Sequence, residues 1–225
     1  ADSDYTDNNG TLTIAAGDTT ATIHFDVTKD DKYEADETLT ATLSGGTGYT
    51  VAGSDLDGTF TIINDDDAPT ISIADNSVAE GNGSGNTAAS MTVTLAAVSG
   101  LPVVVDWALS DGTATTADSD YTDNNGTLTI AAGDTTATIH FDVTKDDKYE
   151  ADETLTATLS GGTGYTVAGS DLDGTFTITN DDTAPVIEWT VADQTVLEDS
   201  GLVTITAFLN AISALEVTAP YTVGG

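Results

Sequence analysis

The chain has 225 residues, with 4 Lys, no Arg and 38 Asp plus Glu, giving a formal net charge of −34. That balance excludes a nucleic-acid groove, which needs a basic footprint, and argues against attraction to anionic membrane surfaces. There is no cysteine, hence no disulfide, and no apolar run approaches the roughly 20 residues that a membrane-spanning helix needs.

From the N-terminus the first organising feature is a repeat. ADSDYTDNNG at Ala1 returns at Ala117, 116 residues later, and identity runs on through Ile62 and Ile178. The copies first differ at Ile63 against Thr179, then share Asn64–Asp66 with Asn180–Asp182 and Ala68-Pro69 with Ala184-Pro185. A diverged third copy follows, in which VAEGNGSG from Val78 is echoed by VLEDSG from Val196. Residues 1–67 are therefore expected to be the latter part of one copy, 68–183 a whole copy and 184–225 the first part of a third, a window on a longer array.

The whole copy reads as seven strands in chain order: A over 70–74, B over 89–96, C over 102–109, D over 127–130, E over 135–143, F over 154–160 and G over 174–179. Met91, Val93 and Leu95 alternate with threonines, and Val103, Val105, Trp107 and Leu109 with Val104, Asp106 and Ala108. Ile139, Phe141 and Val143 repeat the pattern, as do Leu155, Ala157 and Leu159. A period of two with one apolar face marks a half-buried antiparallel strand. Asn125-Gly126, Gly133-Asp134 and Gly161-Gly162 punctuate the turns. The expected fold is all-β, a seven-stranded antiparallel two-sheet β-sandwich repeated in tandem. Trp107 is expected in the core. His24 and His140 fall on the threonine side of strand E, facing solvent.

If successive strands run up and down, the A–B, C–D and E–F loops and the exit from G gather at one pole. Those segments carry Glu80; Asp118 and Asp120; Asp146, Asp147, Glu150, Asp152 and Glu153; and Asp181 and Asp182. Two like charges 4 Å apart repel by about 4 kcal/mol at an effective dielectric of 20, so such a pole needs counter-ions or protonation. A generic acidic surface would explain the total charge but not this clustering. Many carboxylates with no Cys and no nearby His suit Ca²⁺. Mg²⁺ prefers fewer carboxylates, and Zn²⁺ wants His or Cys. Each whole repeat has one mid-strand histidine, so no Ser/His/Asp arrangement is supported and the chain does not read as an enzyme.

The stretch DGTATTADSDYTDNNGTLTIAAGDTTATIHFDVTKDDKYEADETLTATLS resembles the Calx-beta domain. The matching elements are V-x-E-G at Val78–Gly81, DGTA at Asp111, DY at Asp120, G-x-L-x-I-x-x-G-D at Gly126, the DD-x-x-x-E region at Asp146 and the terminal NDD at Asn180. Domains of this family occur in sodium/calcium exchangers, in integrin β4 and in tandem in large bacterial surface proteins. The resemblance implies seven-stranded antiparallel immunoglobulin-like β-sandwich repeats in tandem, with Ca²⁺ at one pole and Glu80, Asp120, Asp146, Asp147, Glu150, Asp181 and Asp182 as ligands. In the first copy it implies Asp4, Asp30, Asp31, Glu34, Asp65 and Asp66, and in the third Glu198.

The function expected from this is a calcium-binding structural repeat of a long extracellular, cell-surface protein: a calcium-rigidified rod, fibre or adhesin stalk. Its partners would be neighbouring repeats of the same or an identical chain, head-to-tail in a filament, with no nucleic acid and a distal adhesion ligand unnamed by the sequence. Residues 1–67 carry strands D to G and 184–225 strands A to C, so each end is expected to be completed by another chain or by its own continuation. The rival is a regulatory calcium sensor as in sodium/calcium exchangers; a third reading is a lectin-like module.

Overall fold

The computed structural model describes residues 4–50 and 56–224. Its strands are β1 (Glu37–Thr42), β2 (Asp57–Ile62), β3 (Thr70–Ile73), β4 (Asn76–Ala79), β5 (Asn86–Leu95), β6 (Val103–Asp111), β7 (Asn125–Ile130), β8 (Thr136–Thr144), β9 (Lys148–Tyr149), β10 (Glu153–Thr163), β11 (Thr166–Asp171), β12 (Asp173–Thr179), β13 (Ile187–Trp189), β14 (Ala207–Leu209) and β15 (Ile212–Ser213). A single 3₁₀ turn, Glu198–Ser200, is the one helical element among the described residues. No described helix is long and apolar enough to cross a membrane.

The alternation read from the sequence builds the central copy. Two sheets face each other, one of five strands in the order β4-β12-β10-β6-β7 and one of four in the order β11-β3-β5-β8. In β6, Val103, Val105, Trp107 and Leu109 turn inward while Asp106 and Ala108 turn out. Phe141 of β8 meets Phe176 of β12 edge to face across the sandwich, with ring centroids 4.9 Å apart. Fully burying side chains of this size stabilises the fold by about 1.5–3 kcal/mol each, so the inner faces of the two sheets supply most of the driving force. Trp107 lies in this core, and both His24 and His140 are exposed.

Strand A differs from the expectation because it serves both sheets. β3 pairs antiparallel with β5, Ile71 opposite Leu95. The chain then crosses over, and β4 pairs parallel with β12, Asn76 opposite Phe176. The crossing is pinned from both sides: Asp75 Oδ1 accepts from the Thr175 amide at 2.7 Å, and Asn76 Nδ2 donates to the Ser90 carbonyl at 2.8 Å. The F–G connection also contains a strand, β11, parallel to β3 at the sheet edge with an interrupted register. Its residues, TVAGSD, are small and polar and lack an apolar alternation, so periodicity does not reveal it.

The partial copies keep only those ladders whose two strands are present. β1 and β2 pair with Glu37 opposite Ile62, as Glu153 pairs with Ile178 in the whole copy. β13 and β14 pair with Ile187 opposite Leu209, the counterpart of Ile71 with Leu95. In the whole copy D pairs with C and E with B. Residues 1–67 contain no copy of B or C; the expected D of that segment, 11–14, forms no ladder, and the expected E makes one bridge, Val27 with Tyr5, as Val143 does with Tyr121 in the whole copy. Leu12, Ile14, Phe60, Trp189, Ile205 and Phe208 are consequently exposed.

Candidate metal centre

Each acid at the pole is positioned by a local device. Glu80 follows β4, and its amide donates to the Thr179 carbonyl at 3.1 Å, so the A–B loop starts beside the end of β12. Gly81 then takes φ +85°, a backbone state open to glycine. Asp120 sits between a left-handed Ser119, φ 71°, and Tyr121, whose ring is buried in the core. The Tyr121 hydroxyl donates to Asp111 Oδ1 at 2.6 Å, which ties the DY motif to the DGTA motif. Gly112 allows the close approach of this loop to β10: a Cβ there would lie 2.3 Å from the Thr154 carbonyl oxygen.

Asn180, first residue of the NDD motif, joins the E–F loop to the exit of β12. Its Oδ1 accepts from the Glu150 amide at 3.1 Å, its Nδ2 donates to the Asp182 carbonyl at 3.0 Å, and its amide donates to Asp152 Oδ1 at 3.1 Å. Asn64 makes the same three bonds in the first copy, to the Glu34 amide, the Asp66 carbonyl and Asp36. Asn180 and Asp152 thus tie the E–F loop to the exit of β12.

The outcome is two carboxylate groups in the whole copy. One oxygen each from Glu80, Asp146 and Asp182 lie within 4.8 Å of one another, and so do oxygens from Asp120, Glu150 and Glu153. In the first copy Asp4, Asp30 and Glu34, the equivalents of Asp120, Asp146 and Glu150, form a group of the same span. Asp147 and Asp181 stand beside the first group and hold the A–B loop. Asp147 Oδ1 accepts from the Gly83 amide at 2.8 Å, and the Asp181 carboxylate accepts from the Gly81 amide at 3.2 Å and from Asn82 Nδ2 at 3.3 Å.

Three of the expected residues of the first copy lie around its group rather than in it. The Asp66 carboxyl is raised from its ordinary value by burial and then by the charges of Asp65, Asp31 and Asp30. Glu198 differs: it is exposed, opens the 3₁₀ turn, and joins no carboxylate group among the described residues. Asp199 follows it where Gly81 follows Glu80, and residues 184–225 supply none of the opposing loops. Glu153, placed in the E–F loop by the sequence but left out of the ligand set, belongs to the second group. The signal was its position immediately before the expected strand F, next to the pole.

The electrostatics are those of a site short of positive charge. Glu80 is 5% exposed, and its Oε1 has no hydrogen-bond partner; neither has the buried Asp182 Oδ2. Buried unpaired carboxylate oxygens are costly. Burial first, then the charges of Asp146, Asp182 and Asp181, pushes the Glu80 carboxyl up to about 7. Burial and then the charge and hydrogen bond of Asp120 push Glu153 up to about 7. Asp182 is raised by burial and by Asp147, Asp181 and Asp146. Orphaned oxygens that converge, in a site where carboxylates outnumber the one nearby ammonium of Lys148, fit a hard divalent cation of high coordination number such as Ca²⁺. Glu80, Asp146 and Asp182 would hold one ion, and Asp120, Glu150 and Glu153 another.

Two expected results follow from these charges. Glu80 and Glu153 have folded values above the unfolded 4.5. The metal-free native state therefore binds more protons than the unfolded chain between roughly pH 4.5 and 7, and loses stability as pH rises through that window. In chelator the melting temperature should be higher at pH 5 than at pH 7.5; equal values would contradict the assignment. Lys148 is the internal counter-ion of the pole, paired with Glu150 and lying 4.0 Å from Asp146 Oδ2. Lys148→Met should lower the melting temperature in chelator and tighten calcium binding severalfold in a calorimetric titration, because no ammonium then competes for those oxygens. Weaker binding by this variant would contradict that role.

The Calx-beta domain profile matches residues 1–67 and 64–183. The chain belongs to the Calx-beta domain family. Among solved structures it is similar to the apo-form Calx CBD1 domain, at 20% identity over 50% of this chain and 99% of that one, with a TM-score of 0.40. It is also similar to CBD12 from CALX1.2, at 21% identity over 53% of this chain and 48% of that one, TM-score 0.42. The calcium binding domain CBD12 of CALX1.1 matches at 21% identity over 54% of this chain and 50% of that one, TM-score 0.42. This chain thus spans about half the length of the two CBD12 structures. No curated protein sequence matches it.

Proposed function

We propose that this chain is a calcium-binding structural array in which ions at the acidic pole of each repeat stiffen its junction with the next. The observation that carries the reading is the pair of buried, unpartnered oxygens, Glu80 Oε1 and Asp182 Oδ2. Asp182 lies in the segment that leaves β12 for the following copy, so an ion held there also holds the linker. The protein would act outside the cell, at the cell surface, as a rod, fibre or adhesin stalk. Near-identical copies support this, because a spacer needs length rather than distinct surfaces. The exposed apolar residues of the partial copies would be covered by complementary strands of a neighbouring repeat, on the same or an identical chain, as in a head-to-tail filament.

The test is a calcium titration. An affinity in the range of roughly 10⁻⁴–10⁻³ M suits an extracellular module, and submicromolar affinity would support a regulatory sensor instead.

A further inference from the structure

The two repeat junctions in this chain make the same contact, and calcium coordination does not require it. At the first junction Tyr33 forms a parallel bridge with Ser99. The Gly100 amide donates to the Tyr33 carbonyl at 2.9 Å. At the second junction β9 pairs parallel with β15, Lys148 opposite Ile212 and Tyr149 opposite Ser213, and the Ala214 amide donates to the Tyr149 carbonyl at 3.0 Å. Tyr33 and Tyr149 are equivalent positions of the E–F loop, and Ser99 and Ser213 are equivalent positions of the B–C loop.

The receiving turn is built the same way in both copies. The Leu101 amide donates to Ser99 Oγ at 3.1 Å and Ser99 Oγ donates to the Leu101 carbonyl at 2.8 Å. Ser213 and Leu215 make the same pair of bonds at 3.1 and 2.8 Å. Ser99 is 1% exposed, and its carbonyl accepts from the Gly133 amide at 2.9 Å, which fixes the turn to the D–E loop. Of the five residues Val98-Ser99-Gly100-Leu101-Pro102, only serine and leucine recur in Ile212-Ser213-Ala214-Leu215-Glu216. A contact that survives this divergence is keyed by the backbone. Strand addition of this kind takes its affinity from main-chain hydrogen bonds.

We infer that the Lys-Tyr segment of each E–F loop is a docking strand, and that its partner is the serine turn of the B–C loop in the following copy. This bridge, more than the short linker through Ala184-Pro185, sets the angle between repeats. The docking strand runs between candidate ligands: Asp146 and Glu150 flank Lys148-Tyr149, and Ile212 of the next copy lines one open cleft with Asp146, Asp147 and Lys148. At the first junction a Cβ on Gly100 would lie 2.5 Å from Glu34 Oε1, so the pole of one copy rests on the turn of the next. The inference rests on the rod reading for its purpose but not for its geometry.

Two measurements on the full chain test it. Amide exchange by NMR should show Gly100 and Ala214 protected well beyond unbonded loop amides. If both exchange as free loop amides while Leu101 and Gly133 stay protected, the inference is overturned. The second measurement uses the absence of cysteine. Spin labels at Thr40→Cys on β1 and Thr129→Cys on β7, both exposed, report the distance across the first junction. In calcium the distribution should be narrow, and Gly100→Pro with Ala214→Pro, which deletes both donors, should broaden it at least twofold. A narrow distribution that the prolines leave narrow overturns the docking strand. A distribution that is broad in calcium before any proline is introduced overturns the rod reading, and amide exchange then decides the docking strand alone. Should the proline variant lose the cooperative melting of the central sandwich, the exchange measurement likewise decides.

Discussion

In saturating calcium the chain should melt far above its melting temperature in chelator. A ligand that binds only the native state stabilises it by RT ln(1 + [L]/Kd), about 2.7 kcal/mol per site at a hundredfold excess. For a domain near 100 residues each kcal/mol moves the midpoint by roughly 4–8 °C. One filled site in the central copy therefore raises the midpoint by about 10 °C or more, and two filled sites raise it further. The increase should reflect more than mass action on an indifferent surface, because the metal-free pole holds Glu80 and Asp182 oxygens with no partner. Matched scans at equal ionic strength separate specific binding from screening, since screening acts on all 38 acids and magnesium or sodium would supply it too. Equal midpoints in calcium and chelator would remove the basis for the site.

Glu80→Gln should change stability with opposite sign in the two conditions. In chelator near neutral pH the substitution replaces a buried, partly ionised carboxyl with a neutral amide of the same shape. It also removes a charge whose oxygen lies within 4.8 Å of those of Asp146 and Asp182. The variant should be more stable than the parent by on the order of 1–3 kcal/mol, the usual cost of an unsatisfied buried polar group. In calcium it should be less stable, having lost a charged ligand, and its affinity should fall tenfold or more. A surface glutamate would show neither effect, and a purely structural glutamate would lower stability in both conditions. Melting in chelator and in calcium, run side by side, reads both signs. A Glu80→Gln chain that is destabilised equally in each would contradict the role given to Glu80.

Much of this was legible in the residues. Met91, Val93 and Leu95 or Val103, Val105 and Trp107 can bury one face only as strands, and strand parity then sends Glu80, Asp120, Asp146, Glu150 and Asp182 to one pole. Elements whose placement depends on partners were not legible. The division of strand A into β3 and β4 depends on Asp75 and Asn76 bonding to two different sheets. β11 is held by an edge pairing and by Ser170 Oγ, which accepts from the Ile71 amide at 3.1 Å, not by an apolar face. Composition also does not separate acids that point into the pole from acids that brace it. Asp147 and Asp181 accept loop amides, and Glu153 faces Asp120, though all lie in equally acidic segments. Glu198 shows the converse: its motif resembles that of Glu80, but the loops that would complete a site are not among residues 184–225.

Anomalous diffraction from crystals of the full chain grown in calcium tests the central claim most directly. The account predicts one calcium peak coordinated by Glu80, Asp146 and Asp182 and a second by Asp120, Glu150 and Glu153, with Lys148 withdrawn from Glu150. An acidic pole without anomalous density in saturating calcium, with Lys148 still paired to Glu150, would contradict it.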